Sequence, residues 1–197
     1  MNHTCALFAT FLLAALRLPA AETPAGWYLL PEPSFMDHEI VWPIPESKRA
    51  VILPVRAGSP EPEPLTFKQT ADTSLTRESL VAEARHNATT LLDQIGHELV
   101  RDSRGVIRYA VIASDNPLTA SVVHAPNFTD RFLETIGPDA LILIPNRFRV
   151  YVFPRSAIPG RELSDINFSD YNATNYPVSR EVFEIKNGSL RAVGLLR

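Results

Sequence analysis

Proline placement constrains the fold of this chain more than any other sequence feature. Nine of its 17 prolines fall between residues 24 and 64. Because proline fixes φ and lacks a backbone N–H, this segment cannot form long helices. It has room for short extended pieces at 38–44 and 49–55, with Pro54 at an edge or strand end, and 58–64 is typical of a solvated linker. We therefore predict that residues 22–65 form a Pro-rich extended arm.

The apolar run at residues 5–16, CALFATFLLAAL, has the length of a secretory signal segment and is too short to span a bilayer. The small residues Ala20 and Ala21 follow it, before the polar Glu22. This pattern predicts a signal peptide over residues 1–20, cleaved after Ala20 or Ala21. We expect an exported protein, periplasmic or secreted, with no transmembrane segment after cleavage. An N-terminal helix and an uncleaved anchor are the open alternatives.

The charge and the cysteine content exclude several function classes. Cys5 is the only cysteine and lies in the predicted leader, so we expect neither a disulfide nor thiolate chemistry in the mature protein. Removing residues 1–20 removes Arg17 and no acid, which leaves 18 basic and 22 acidic side chains and a net charge of −4. An acidic chain without a basic stripe is not expected to bind nucleic acid.

Hydrophobic spacing predicts two helices. Leu80, Ala84, Ala88, Leu91 and Ile95 repeat on one helical face, between a capping threonine at position 76 and a terminating glycine at position 96. A second apolar face contains residues 128, 132, 133 and 136 and ends at a glycine.

Strand patterns surround these helices. We predict strands at 106–113 and 119–125, a loop that contains Asn167, Tyr171 and Tyr176, and a hairpin turned at Asn187-Gly188. The element order favours an α+β fold over residues 66–197, with a mostly antiparallel sheet and two helices packed on one of its faces.

The stretch at 139–157 contains the candidate site. Two apolar runs flank Pro145-Asn146-Arg147-Phe148, and a hairpin centred on positions 146 and 147 would pair residue 143 with 150 and residue 141 with 152. Asn146, Arg147 and Arg149 would then lie at the tip, with Arg155 further along, and guanidinium groups suit carboxylates or phosphates. We therefore predict an anion-binding hairpin tip. The alternative is a plain turn whose arginines keep their charged ends in water.

The segments TRESLVAEARHNATTLL and SVVHAPNFTDRFLETIGPDALILIPNRFRVYVF resemble the YtpQ-like family of uncharacterised bacterial proteins. The resemblance covers roughly residues 66–155, and Pro145-Asn146-Arg147 would be the family's Pro-x-Arg turn. Phe148 departs from the acidic residue expected after that arginine, and the export signal is a second departure. The resemblance implies a fold and carries no catalytic assignment.

Catalytic and cofactor motifs are missing from the sequence. It has no Gly-x-Ser-x-Gly, phosphate-binding or dinucleotide-binding motif, and its histidines have no metal-ligand spacing. Asp165 and Asp170 match no calcium-loop pattern. We expect no metal, no cofactor and a non-enzymatic binding module for an anionic ligand or a protein partner, which the Pro-rich arm would also suit. A small periplasmic hydrolase is the alternative, and a cleft with two carboxylates or a histidine–carboxylate pair would favour it.

Overall fold

The computed structural model describes residues 23–58, 60–72, 75–156 and 161–196. These residues form a mostly antiparallel protein with a few helices, in agreement with the predicted α+β class. The first sheet contains four strands: β1 Trp27–Pro33, β2 Trp42–Pro43, β3 Ala50–Arg56 and β4 Glu63–Pro64. β3 pairs with all three of the others.

The second sheet contains six strands: β5 Glu98–Arg101, β6 Ile107–Ala113, β7 Ala140–Asn146, β8 Arg149–Pro154, β9 Glu181–Lys186 and β10 Ser189–Leu195. Their order is β10–β9–β7–β8–β6–β5, and each pairing is antiparallel. The predicted turn at Asn187-Gly188 is confirmed between β9 and β10. Its residues have φ values of 52° and 70°, which asparagine tolerates and glycine adopts freely.

The helices are α1 Phe67–Asp72, α2 Arg77–Ile95, α3 Phe128–Phe132 and α4 Arg161–Asn172. The predicted limits of α2 are confirmed. The Thr76 hydroxyl accepts a hydrogen bond from the Ser79 N–H at 3.1 Å, the Ser79 hydroxyl accepts one from the Thr76 N–H at 3.2 Å, and Gly96 ends the helix. This reciprocal capping satisfies two donors at the helix start that would otherwise lack partners.

The extended arm predicted for residues 22–65 is not confirmed, because the first sheet is part of the main core. Tyr28, Leu30 and Leu53 are buried in the same apolar cluster as the predicted face of α2 and the second-sheet residues Ile142 and Val152. The strands there are short enough to fit between the prolines, and burying their apolar side chains favours packing over solvation.

Pro54 shows how the first sheet accommodates proline. It lies within β3 rather than at the predicted edge or strand end. β2 pairs only with Val51 and Ile52, and β4 pairs only with Val55 and Arg56, so Pro54 lies at the break between these two short partners. Pro54 pairs with Leu29 of β1, and a missing N–H is tolerated on the other side of β3, where neither β2 nor β4 pairs with it.

Two local predictions are wrong. Residues predicted as a strand at 119–125 form a 3-10 helix, Thr119–His124, because the Asn116 carboxamide accepts a hydrogen bond from the Leu118 N–H at 2.9 Å and starts a turn. The β-branched residues of this segment are buried in the core, and they lie in the 3-10 helix rather than in a paired strand. The loop predicted before β9 contains α4. Two of the residues predicted to lie in that loop, Asn167 and Tyr171, belong to this helix.

The prediction of helices on one face is not confirmed. The apolar side chains of α2 pack in the main cluster, on the side of the second sheet that carries Ile142 and Val152. Ile166 of α4 packs instead in a second cluster with Leu143 and Tyr151. Successive strand residues point to opposite faces, so helices contact both faces of this sheet.

The predicted register of the β7–β8 hairpin is wrong by one residue. Leu143 pairs with Tyr151 and Leu141 with Phe153, and an irregularity follows before the last pair, Asn146 with Arg149. The turn is centred on Arg147-Phe148 because the Asn146 carboxamide accepts a hydrogen bond from the Phe148 N–H at 2.9 Å. A one-residue slip places every facing side chain on the opposite side of the sheet.

Candidate functional site

Arg147, the central residue of the predicted site, points inward. Its Nε donates to Glu32 Oε1 at 2.5 Å, and its Nη1 lies 3.3 Å from Glu61 Oε2. The guanidinium also stacks on the Tyr176 ring at 4.9 Å, and the Tyr176 hydroxyl donates to Glu61 Oε1 at 2.6 Å. Two carboxylates and a ring thus surround the cation, whose side chain is only 12% exposed.

The contact between Arg147 and Glu32 connects the two sheets. Glu32 lies on β1 and is 2% exposed. Burial raises the pKa of Glu32 above its ordinary value, and the hydrogen bond from Arg147 opposes that rise. Removing one partner of such a buried pair leaves an uncompensated charge in the core. The contact of Arg147 with Glu32 is therefore structural, because it joins the two sheets.

Asn146 and Arg149 are brought close to Asp170 of α4. The Asn146 carboxamide donates to the Asp170 carbonyl at 2.9 Å, while Arg149 Nη1 lies 3.6 Å from the Asp170 carboxylate. The Tyr151 hydroxyl also donates to that carboxylate. The structure thus gathers the three predicted site residues at one end of the second sheet, where protein groups already contact each of them.

Arg155 is not part of this group. Arg155 directly follows β8, at the end of that strand opposite the hairpin tip, and it forms an ion pair with Glu184. Glu184 also pairs with Arg191, at 2.5 Å from Nη2 to Oε1. The Glu184 carboxylate therefore lies between two arginines of the chain.

Two clefts that the sequence did not predict meet at Arg85 of α2. The Asp130 cleft has a volume of about 370 Å³ and is lined by residues that include Arg85, Pro126, Asp130, Asn187 and Gly188. The Trp42 cleft has a volume of about 280 Å³ and shares Arg85 and Gly188 with the first. Arg85 therefore lies at the junction of two concave surfaces.

A stripe on α2 forms one wall of the Trp42 cleft. Arg77, Val81 and Arg85 line it together and are spaced four residues apart, which places them on one helical face. This stripe lies beside the apolar face that begins at Leu80. Its spacing was visible in the sequence, but only the opposing first sheet and the β9–β10 turn make it a cleft.

The β9–β10 turn approaches Arg85 closely. A Cβ atom at Gly188 would lie 3.2 Å from Arg85 Nη2, and Gly188 has a φ of +70°. Both the left-handed backbone and the short approach therefore favour glycine. The turn therefore lies close to one side of the guanidinium, and Arg85 lines both clefts.

The Arg85 guanidinium has no carboxylate within ion-pair distance among the described residues. This distinguishes it from Arg147, Arg149 and Arg155. An unpaired guanidinium in a cleft is suited to an external carboxylate or phosphate, which it binds through two parallel hydrogen bonds.

His124 lines the Trp42 cleft at the end of the 3-10 helix. In the described part of the chain, no hydrogen-bond partner reaches its buried Nε2 atom. Burial, followed by the nearby Arg85 charge, lowers the pKa of His124 to about 4. The imidazole is therefore neutral at pH 7 and offers an unused hydrogen-bonding atom.

Apart from Ser189, apolar side chains form the rest of the described lining of the Trp42 cleft. Leu29, Ile44, Ile52 and Leu190 are all buried, and Trp42 lies among two prolines of the same wall. The Arg77 guanidinium lies 4.5 Å from the centre of the Trp42 ring. Cation–π contact of this kind orients the indole. The cleft thus combines an apolar wall with positive charge.

Within the described ranges, no helix combines the length and apolar character that crossing a membrane requires. The same residues contain no group of three or more histidine, cysteine, aspartate or glutamate side chains arranged to hold a metal ion. Comparisons with protein-family models, curated proteins and solved structures find no match to this chain. The resemblance of residues 66–155 to the YtpQ-like family stays a prediction.

Proposed function

We propose that this chain is an exported, non-enzymatic binding module that holds an anionic ligand at Arg85. The observation that carries the proposal is the Arg85 guanidinium, placed where two clefts meet and unpaired with any described carboxylate. Ligand sites are concave, and a few polar groups set the orientation of the ligand in them. An anion in this position would supply the missing countercharge.

The contacts favour Arg85 over the hairpin tip as the anion site. At the tip, Glu32 and Glu61 contact Arg147, and Asp170 contacts Arg149. An incoming anion there would displace or face carboxylates that are already in place. Arg85 faces no such competition among the described residues, and Arg77 adds a second cation to the same cleft.

The lining of the Trp42 cleft supports binding over hydrolysis. Its described lining residues include His124 but neither aspartate nor glutamate, so the histidine–carboxylate pair expected of a hydrolase has no basis there. The Asp130 cleft contains one carboxylate, from Asp130. Export rests on the apolar run at residues 5–16, which lies outside the described residues.

The test is titration of the full chain with acetate and with phosphate, observed by NMR. We expect saturable shifts around Arg85 and Gly188. Arg85→Met keeps most of the side-chain stem and removes the charge, and it should weaken binding by at least about tenfold, as expected for a lost hydrogen bond to a charged group. The control is Arg56→Met, which removes an exposed arginine that lines neither cleft. Equal binding by both variants would contradict the proposal.

A further inference from the structure

Resting on the proposed function, we infer that the ligand is a small hydroxylated aromatic carboxylate that binds in the Trp42 cleft. Its carboxylate would meet Arg85, its ring would lie against Trp42 and the apolar wall, and its hydroxyl would pair with His124 Nε2. Three different features of the cleft specify these three parts of the ligand.

The charge of the cleft specifies the carboxylate. Arg77 and Arg85 are cations, His124 is neutral, and no described lining residue is acidic. A neutral ligand would leave the Arg85 guanidinium without a countercharge. A planar carboxylate accepts two parallel hydrogen bonds from one guanidinium.

The apolar wall specifies the ring. Leu29, Ile52 and Leu190 are 5–7% exposed and lie next to Trp42 in the cleft lining. Arg77 holds the indole at one face. A small aromatic ring can pack against an indole in offset or edge-to-face geometry and removes apolar surface from water. A simple anion such as acetate uses none of this surface.

The buried Nε2 atom of His124 specifies the hydroxyl. Nε2 has almost no surface accessible to water, so the imidazole would turn about its side-chain torsions to present this atom to the ligand hydroxyl. The new hydrogen bond would then relieve the cost of leaving a buried polar atom unpaired. A neutral imidazole carries its proton on either nitrogen, so Nε2 is a donor in one tautomer and an acceptor in the other. A hydroxyl both donates and accepts, and therefore pairs with Nε2 in either case.

The size of the cleft limits the ligand. Its volume of about 280 Å³ corresponds to about nine water molecules at about 30 Å³ each. It lies just below the range of about 300–1,000 Å³ that is common for drug-sized ligands. A single substituted ring with on the order of ten non-hydrogen atoms matches this space.

The experiment is an NMR titration of the full chain carrying Trp27→Phe, which leaves Trp42 as the only tryptophan and its indole N–H as a reporter of the cleft. The probes are acetate, benzoate, 3-hydroxybenzoate, 4-hydroxybenzoate and the neutral 4-hydroxybenzamide. We expect benzoate to bind more tightly than acetate, one hydroxybenzoate to bind at least about tenfold more tightly than benzoate, and the benzamide to bind weakest of the ring compounds.

His124 variants test the hydroxyl contact. His124→Phe should remove the advantage of the hydroxybenzoate over benzoate. His124→Gln, which keeps a hydrogen-bonding side chain, should retain part of the advantage. If His124→Phe fails to fold, as judged by circular dichroism, the comparison rests on His124→Gln and wild type, and equal hydroxybenzoate-to-benzoate ratios in the two would leave His124 without the inferred role.

The outcomes separate this inference from the proposed function. If acetate binds as tightly as the hydroxybenzoates and Arg85→Met weakens it, the anion site stands and the aromatic ligand class is wrong. If no probe binds in an Arg85-dependent way, both are wrong. A hydroxybenzoate preference that depends on Arg85 and on His124 supports both.

Discussion

Two arginines, Arg85 and Arg147, differ in what surrounds their guanidinium groups. Arg147 lies between Glu32 and Glu61 and is nearly buried, whereas Arg85 lies between two clefts and lacks a carboxylate partner among the described residues. Residue type and spacing indicated that arginines mattered near position 147. The sequence could not show that a glutamate more than a hundred positions earlier would neutralise one of them, because that contact depends on the packing of the two sheets.

Arg147→Ala should lower the free energy of unfolding by about 3–5 kcal/mol, the scale for a buried ion pair that loses one partner. Arg149→Ala, at a side chain that is 48% exposed, should change it by less than about 1 kcal/mol. Urea denaturation measures both. The double variant Arg147→Met/Glu32→Leu should recover most of the loss, since it leaves no buried charge unpaired and the remaining partner, Glu61, is 49% exposed. If Arg147→Ala leaves the free energy of unfolding unchanged and abolishes anion binding, the anion site lies at the hairpin tip instead.

His124 gives the stability of the fold a pH dependence. Its folded pKa of about 4 lies below the ordinary value of 6.5, so the unfolded chain binds a proton more readily. Its contribution is therefore fully present above about pH 6.5 and is lost as the pH falls towards 4. His124→Gln should show a smaller decrease than wild type in thermal unfolding between pH 7 and pH 4. Parallel curves for the two proteins would show that His124 does not titrate in this way.

At the scale of elements, helix α2 and the β9–β10 turn could be predicted from local sequence, while the cleft between them could not. Thr76, Gly96 and the Asn187-Gly188 turn have chemistry that acts within a few residues. The β7–β8 register was mispredicted because the Asn146 side chain moved the turn by one residue. The 3-10 helix that carries His124 was mispredicted because β-branched residues are enriched both in strands and in buried turns.

Gly188→Ala tests how closely the turn approaches Arg85. The variant places a Cβ at a φ of +70° and 3.2 Å from Arg85 Nη2, so it should lose about 1–2 kcal/mol of stability and should also weaken anion binding. Gly105→Ala, in the β5–β6 turn, is the control, because Gly105 has a φ of +83° and no atom within 4 Å of the added carbon. It should lose similar stability and keep its affinity for acetate in calorimetry. If the two variants bind acetate with equal affinity, the β9–β10 turn is not part of the anion site.

On the scale of the whole molecule, the two sheets share one core. Tyr28, Leu30 and Leu53 of the first sheet pack with Leu91 of α2 and Val152 of the second sheet. The sequence predicted that residues 22–65 lack long helices, and the described residues of that range, 23–58 and 60–65, contain strands and no helix. It suggested a solvated arm because prolines are frequent there, yet strands of two to seven residues fit between them and bury their apolar side chains.

The shared core changes the expectation for a truncated protein. The sequence alone predicts that residues 66–197 fold independently. The structure leads us to expect that this fragment does not fold cooperatively, because it lacks the buried side chains of β1 and β3 and would expose the face of α2 that they cover. Circular dichroism and urea unfolding of the fragment, beside the full chain, measure this. If the fragment unfolds cooperatively and with the stability of the full chain, residues 22–65 form a separate arm, as the sequence predicted.

Anion binding at Arg85 can be followed through the arginine side-chain Nε–H signals, which report on each guanidinium separately. These signals are assigned by single substitution and followed by NMR while benzoate is added to the full chain. We expect the Arg85 signal to move saturably, while the signal of Arg147, which is already bonded to Glu32, and the signal of Arg149 stay in place. Movement of the Arg149 or Arg147 signal with a stationary Arg85 signal would contradict anion binding at Arg85.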